Sequence, residues 1–364
     1  MMTNHRAVTL AIAVVYMAIC TALPCSYLLL LHAGYSESRA ATAYAAMSAS
    51  TQILPLLFGY LADRFVGVRR MTCAGCLLIL AGFFIMAAQQ VPAGICLVTV
   101  GFAAFKPCAQ ALLIKNTGSA RAWRLIFVVY NIGVVIGPLL VGYTDNRFVF
   151  FGCAVIVAAV FCYSLLNLKE VRCATDNLYF NLGSLFPAVS LIVYIIAYTP
   201  ASSTYLSLVD DIHIGSVRIN GSGWIAINAL LSAIFAAVIP HNRIPAQKSL
   251  SAGLLLTIMA SVCMLPGLIG NGMMVYSAVL YYIFISLAES LVIPAAQSMI
   301  AKDNADSTTS AVAGTCLGLG SLLAIPLVSL AGKTTNQHLF LLINCLPCAA
   351  VLAIAKRHYQ RYAY

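Results

Sequence analysis

Twelve apolar runs, each long enough to cross a bilayer as a helix, follow one another with short connections. They are 8–31, 40–62, 71–89, 93–114, 122–143, 148–168, 179–206, 222–240, 249–269, 272–301, 309–331 and 336–355. A hydrocarbon core of about 30 Å takes roughly 20 helical residues rising about 1.5 Å each. Lipid satisfies no backbone hydrogen bond, so only helices and closed barrels span it, and barrel strands are about ten alternating residues. These runs are helical in length and unbroken in polarity. Only 8% of the 364 residues are Asp, Glu, Lys or Arg and 62% are hydrophobic. A soluble domain carries about 25% charge, so an ordinary soluble globule is excluded. The chain reads as a polytopic all-α membrane protein without an inserted soluble domain. The first run follows only MMTNHR and is too long for a cleaved leader, so it is expected to be a retained span.

The net charge of +10 is a question of placement. With the N-terminus inside, fifteen basic residues fall on inside segments: Arg6, Arg64, Arg69, Arg70, Lys115, Arg121, Arg124, Lys169, Arg172, Arg243, Lys248, Lys302, Lys356, Arg357 and Arg361. Outside segments hold Arg39, Arg147, Arg218 and Lys333. This bias follows the positive-inside rule and argues for both termini in the cytoplasm, not for nucleic acid as a partner. Lys106, in GFAAFKP, belongs to neither side. The acidic residues sort in the same way and leave Glu289, in YYIFISLAESLVIPAAQ. A charge at the bilayer centre costs about 2.5–3.5 kcal/mol on insertion scales, so an ionisable residue there marks a functional site. Snorkelling is the plain alternative for Lys106, and a protonated, hydrogen-bonded carboxyl is the plain alternative for Glu289. Lys106 lies too near the middle of its run to reach a headgroup comfortably.

Six runs precede the polar segment KEVRCATDN and six follow it. The expected domains are therefore an N-terminal six-helix bundle (1–168), a cytoplasmic linker (169–178) and a C-terminal six-helix bundle (179–364). By count the fourth run corresponds to the tenth, which places Lys106 and Glu289 on equivalent spans of opposite halves. A shared site would lower the insertion penalty of both and leave a switchable ion pair. Asn131 is polar in mid-span and either lines a cavity or bridges helices. Glycines in the fifth and eleventh runs, Gly133, Gly137, Gly314 and Gly318 among them, suit close helix approach. The pairs Cys73/Cys76 and Cys345/Cys348 have the C-x-x-C spacing but no second pair or nearby histidine, so packing is expected and no metal site. No G-x-S-x-G, H-E-x-x-H or P-loop pattern occurs, and an enzyme is not expected.

GYLADRFVGVRR (59–70) resembles the signature loop between spans 2 and 3 of the major facilitator superfamily. Its spacing, with two residues between Arg64 and Gly67 and the LADR lead-in, resembles the proton-dependent oligopeptide transporter family within it. FKP (105–107) is similar to that family's F-F-K-P-N segment in span 4. Glu289, Pro294 and Ser298 match its E-x-x-x-S-P-x-x-x-S segment in span 10, with Ile293 in place of the first serine. Asn131 and Gly133 match its I-N-x-G in span 5. The resemblance implies a major facilitator fold of twelve transmembrane helices in two six-helix bundles, with alternating access about a central site. It implies proton-coupled uptake of di- and tripeptides or related small solutes. No cofactor is implied, and the proton gradient is the energy source. Lys106, Glu289, Asn131 and Asn228 are the implied substrate-binding residues, and Glu289 with Lys106 the implied proton-coupling pair. Gly59, Asp63, Arg64, Gly67 and Arg70 are the implied gating residues, with Asp63 and the arginines pairing with helix ends and charges on neighbouring spans in one state only. The implied setting is the inner (plasma) membrane of a bacterium, with a monomer, its solute, protons and the lipid bilayer as the partners.

The departures are as specific. The family's E-x-x-E-R-F-x-Y-Y-G in span 1 is missing, since AVTLAIAVVYMAICTALPCSYLLLLH holds no Glu or Arg. Thr199 stands where span 7 often has a glutamate. Trp224 and Asn228 are one residue too close for both to match W-F-Q-S-L-N of span 8. The two helices often inserted between the halves are absent. Two rivals stay open. GVVIGPLLVG (133–142) resembles an antiporter span 5 motif with an extra residue before its last glycine, which allows a drug or metabolite:proton antiporter. Loss of the span 1 motif allows a non-transporting sensor or scaffold on a transporter fold.

Overall fold

The computed structural model describes residues 5–23, 26, 29–30, 33–143, 146–168, 182–209, 212–214, 217–219, 221–239, 244–264, 274–300, 306–331, 346 and 348–353. Among these, long helices match the first eleven apolar runs. They are α1 (His5–Ala22), α2 (Glu37–Leu61), α3 (Val68–Ala87), α4 (Val91–Thr117), α5 (Ser119–Tyr143), α6 (Asn146–Asn167), α7 (Leu182–Val209), α8 (Gly221–Val238), α9 (Ala246–Cys263), α10 (Met274–Ile300) and α11 (Ser307–Ala331). The linker 169–178 and most of the twelfth run lie outside the described residues. Seven of the described helices are long and apolar enough to cross a membrane. Their outer faces carry large bare side chains, such as Leu166 at 83% and Phe148 at 77% exposure, a pattern water disfavours and lipid accepts.

The helices carry one short strand pair in a connection between them. Ile212–Ile214 and Val217–Ile219 pair antiparallel, with Ile212 opposite Ile219 and His213 opposite Arg218. Each strand sets a polar residue between two β-branched ones, a composition that favours extended pairing over continued helix.

The described chain separates into two compact units. One comprises Met1–Phe180 with Ile300–Gly318, and the other Asn181–Met299 with Leu319–Tyr364. They differ from a plain division into sequence halves, because the first half of α11 packs with the N-terminal helices. Glycine makes that packing possible. A Cβ on Gly318 would lie 2.6 Å from the Gln52 Cβ, and one on Gly59 would lie 2.8 Å from the Ser307 carbonyl oxygen.

Within the first unit α4 is almost wholly buried and packs against α1, α2, α3 and α5. Pro92 near its start loses no helical bond there, and Gly118, at φ 81°, ends it with its N–H bonded to Ile114. Gly75 of α3 faces Gly101 of α4 so closely that a Cβ on either would lie 2.9 Å from the other's carbonyl oxygen. The α3–α4 contact thus fixes α4 one turn before Lys106. In the second unit the core is aromatic: Trp224, Tyr281, Tyr282 and Ile285 cluster, with Trp224 and Tyr282 stacked at 5.0 Å. This cluster lies one turn before Asn228 on α8 and one turn before Glu289 on α10.

Candidate functional site: one buried charge in each unit

Lys106 sits on the innermost helix of the first unit at 8% exposure. Its Nζ donates to the Gln52 Oε1 of α2 at 2.8 Å, and the Phe102 ring centroid lies 5.7 Å away, within cation–π reach. The side chain thus reaches sideways to α2 inside the bundle, which rules against snorkelling. A carboxamide oxygen takes one of the three ammonium donors and supplies no counter-charge.

Three neighbours complete the setting. Tyr16 of α1 donates to the Lys106 carbonyl at 3.5 Å and packs edge-on against Phe102 at 5.6 Å. Gln110, one turn after Lys106, is buried. Gly314 of α11 faces the ammonium, where a Cβ would stand 3.3 Å from Nζ, and the neighbouring Thr315 Oγ1 donates to the Gln52 carbonyl at 3.2 Å.

These contacts separate two substitutions. A methyl at position 318 collides with a Cβ and is expected to lower stability by about 1–3 kcal/mol through overpacking. A methyl at 314 meets the movable ends of the Lys106 and Gln52 side chains, at 3.3 and 3.6 Å. Gly318→Ala should therefore melt below wild type in detergent and Gly314→Ala close to it. Equal melting would contradict the packing of α11 against Gln52.

Glu289, half-buried on α10, is the centre of a polar cluster in the second unit. Its Oε2 accepts from Ser232 Oγ at 2.9 Å and from Asn228 Nδ2 at 3.3 Å. Asn228 Nδ2 is also 3.3 Å from the Tyr198 hydroxyl of α7, and Asn228 Oδ1 accepts from Ser286 Oγ at 2.7 Å. Asn228 and Ser232 are four apart on α8, and Ser286 and Glu289 three apart on α10. Each pair therefore shares a helix face. The carboxyl oxygen Oε2 thus faces two donors from α8.

The signature loop forms a third arrangement, outside the spans. Asp63 lies in a π-turn (Ala62–Val66) closed by Gly67, whose φ of 93° strains any residue with a Cβ. The Asp63 carboxylate accepts from Ser307 N at 3.2 Å, Thr308 N at 2.8 Å and Thr308 Oγ1 at 2.6 Å, and so caps the start of α11. Burial pushes its carboxyl above the ordinary range against the pull of these bonds, and Asp306 adds to the rise. Gly59 provides the close approach on the same side. Arg64 is exposed with its guanidinium over the Tyr60 ring at 5.7 Å, Arg69 donates to the Leu165 carbonyl of α6, and Arg70 is exposed. Asp63→Ala would leave two buried N–H groups without an acceptor, at about 1–3 kcal/mol each. Hydrogen exchange at Ser307 and Thr308 should then speed up by at least about tenfold. Unchanged exchange would show that the cap does not hold α11.

Asn131 is buried, and its Nδ2 donates to Phe127 O at 2.9 Å, one turn back on the same helix. Gly133 lets α5 approach α1, with a Cβ position 2.6 Å from the Cys20 Cβ. Cys73 and Cys76 are buried on α3, and Cys345 lies outside the described residues. Gln52, Tyr16, Gln110, Ser232, Ser286 and Tyr198 are neighbours of the two charges that charge sorting and motif spacing did not single out.

A family model described as the Major Facilitator Superfamily matches residues 7–325. The chain belongs to that superfamily. Solved structures share the major facilitator fold along nearly the whole chain. The human organic anion transporter MFSD10 (TETRAN) matches with a TM-score of 0.75 at 15% identity, over 96% of this chain and 98% of that one. A POT family transporter in complex with 5-aminolevulinic acid matches at 0.69 and 14%, over 96% and 95%. The POT family transporter PepTSo matches at 0.68 and 14%, over 98% of both chains. At such identities the likeness is one of fold. Major facilitators are integral membrane transporters and not enzymes.

Proposed function

We propose that this major facilitator is a secondary active transporter that takes up di- and tripeptides or related small solutes with protons, by alternating access. The observation that carries the proposal is a charged side chain in mid-span on α4 and another on α10, Lys106 in one unit and Glu289 in the other, each held by neutral polar partners that leave its charge for a ligand. In this reading Lys106 binds the substrate carboxylate. Glu289 meets the substrate ammonium and is the protonatable group. Asn228 orients Glu289, while Asn131 acts within its own helix. The Asp63 cap and Gly59 bias the conformational equilibrium through α11, with no contact to substrate. The protein works as a monomer with both termini cytoplasmic and uses the proton gradient alone. The motif resemblance and the fold likeness to POT family transporters support this solute class.

One observation favours a second reading, an organic-anion or drug antiporter. The span 1 acids of the peptide family are missing, and the fold matches a human organic anion transporter at a TM-score of 0.75. A thermal-shift screen of purified protein against dipeptides, amino acids and organic anions separates the two. Stabilisation by dipeptides at millimolar concentration or below is expected. Stabilisation by organic anions alone would replace the peptide reading.

A further inference from the structure

Gln52 stands where α2 meets α4 and α11, and its two ends do different things. The root of the residue is fixed. Its carbonyl accepts from Thr315 Oγ1 at 3.2 Å, and its Cβ lies 2.6 Å from where a Cβ on Gly318 would stand. The carboxamide reaches the other way, and its Oε1 takes a donor from Lys106 Nζ at 2.8 Å. On other sides of the ammonium stand the Phe102 ring, at 5.7 Å, and the bare Cα of Gly314. Lys106 is buried and Gln52 half-buried, so the carboxamide is the outer member of the pair.

A carboxamide oxygen accepts in the same directions as a carboxylate oxygen but without the charge. An ammonium bonds a carboxylate more strongly than a neutral acceptor. A carboxylate arriving at Lys106 can therefore displace the carboxamide, and the α2–α11 contact survives because it uses only the Gln52 carbonyl and Cβ. We propose that Gln52 holds the place of the substrate carboxylate on Lys106 while the site is empty, and so sets substrate affinity as a built-in competitor. The inference rests on the assignment of Lys106 to the substrate carboxylate. It also gives a reason for a neutral partner. A bare ammonium at membrane depth is costly, whereas a resident carboxylate would hold the ammonium against any solute.

The test measures binding of labelled dialanine to the purified full chain, and of the C-terminal amide of dialanine by competition. Gln52→Met keeps the Cβ and the length of the side chain but offers the ammonium only a weak acceptor. It should bind dialanine at least about threefold more tightly than wild type. The amide should gain by the same factor, because both ligands displace the same competitor. Gln52→Glu should bind dialanine at least about tenfold more weakly, since its carboxylate pairs with the ammonium. Melting in detergent shows that each variant is folded, and Gln52→Ala takes the place of Gln52→Met if the latter is not. A packing role for Gln52, or its direct contact with substrate, makes Gln52→Met bind less tightly. A carboxylate added beside Gln52 leaves affinity unchanged. Either result would overturn the inference, as would a gain confined to one ligand or no binding by wild type and Gln52→Met alike. Lys106→Ala separates the inference from the reading beneath it. Lost binding there, with no gain in Gln52→Met, would overturn the inference alone. Undiminished binding in Lys106→Ala would overturn the assignment of Lys106 and the inference with it.

Discussion

Glu289→Gln is expected to abolish proton-driven uptake in proteoliposomes and to spare counterflow exchange. Glutamine keeps the shape and an acceptor oxygen, so Ser232 and Asn228 retain a partner, but it neither binds nor releases a proton. Glu289 is the only carboxylate within the apolar runs, and the span 1 acids that relatives of this kind carry are missing. No second intramembrane acid stands ready to replace it. Exchange of solute across the membrane needs binding and the conformational change only, so counterflow should persist within a few-fold of wild type. Uptake that keeps its pH dependence in this variant would remove Glu289 from proton coupling.

Lys106→Ala should eliminate uptake and counterflow together. Lys106 is the basic residue that sorting by side leaves in mid-span, and a charge-assisted bond to a substrate carboxylate away from water is worth about 2–5 kcal/mol when one partner is removed. That is roughly a 30- to several-thousand-fold loss of affinity. The variant also leaves Gln52 Oε1 without its donor, which adds a modest instability. Lys106→Arg provides the control, since it keeps the charge but brings a broad planar fork to a place where Gly314 leaves room for little more than an ammonium. It should fold and transport poorly. Counterflow at wild-type rate in Lys106→Ala would mean that the lysine serves packing.

The two charges were legible in the sequence for a simple reason: lipid forbids charge, so each ionisable residue that could not be assigned to a side stood out. The helices were legible because spanning length and apolar content set them, and α11 was placed within two residues. The neutral partners were not. Gln52, Ser232 and Ser286 cost little to bury when bonded, and one polar side chain in a span carries no periodic signal. Their roles come from which helix faces meet. The division of α11 between two units was equally hidden, because run-counting assigns a whole helix to one half. Close glycine contacts at Gly59, Gly314 and Gly318 bring its first turns to the N-terminal helices instead. Glycine was read correctly as a sign of close approach, yet the partner was not in the pattern. Asn131, polar in mid-span, donates one turn back on its own helix, a bond that the sequence pattern did not single out.

The most direct test of proton coupling is uptake of a labelled dipeptide into proteoliposomes under an imposed gradient, acid on the outside, with membrane potential clamped. Wild type should accumulate the dipeptide above its external concentration, and should only equilibrate when the gradient is collapsed or when Glu289 is replaced by Gln. Accumulation of the same size with and without the gradient would contradict a proton-coupled symporter.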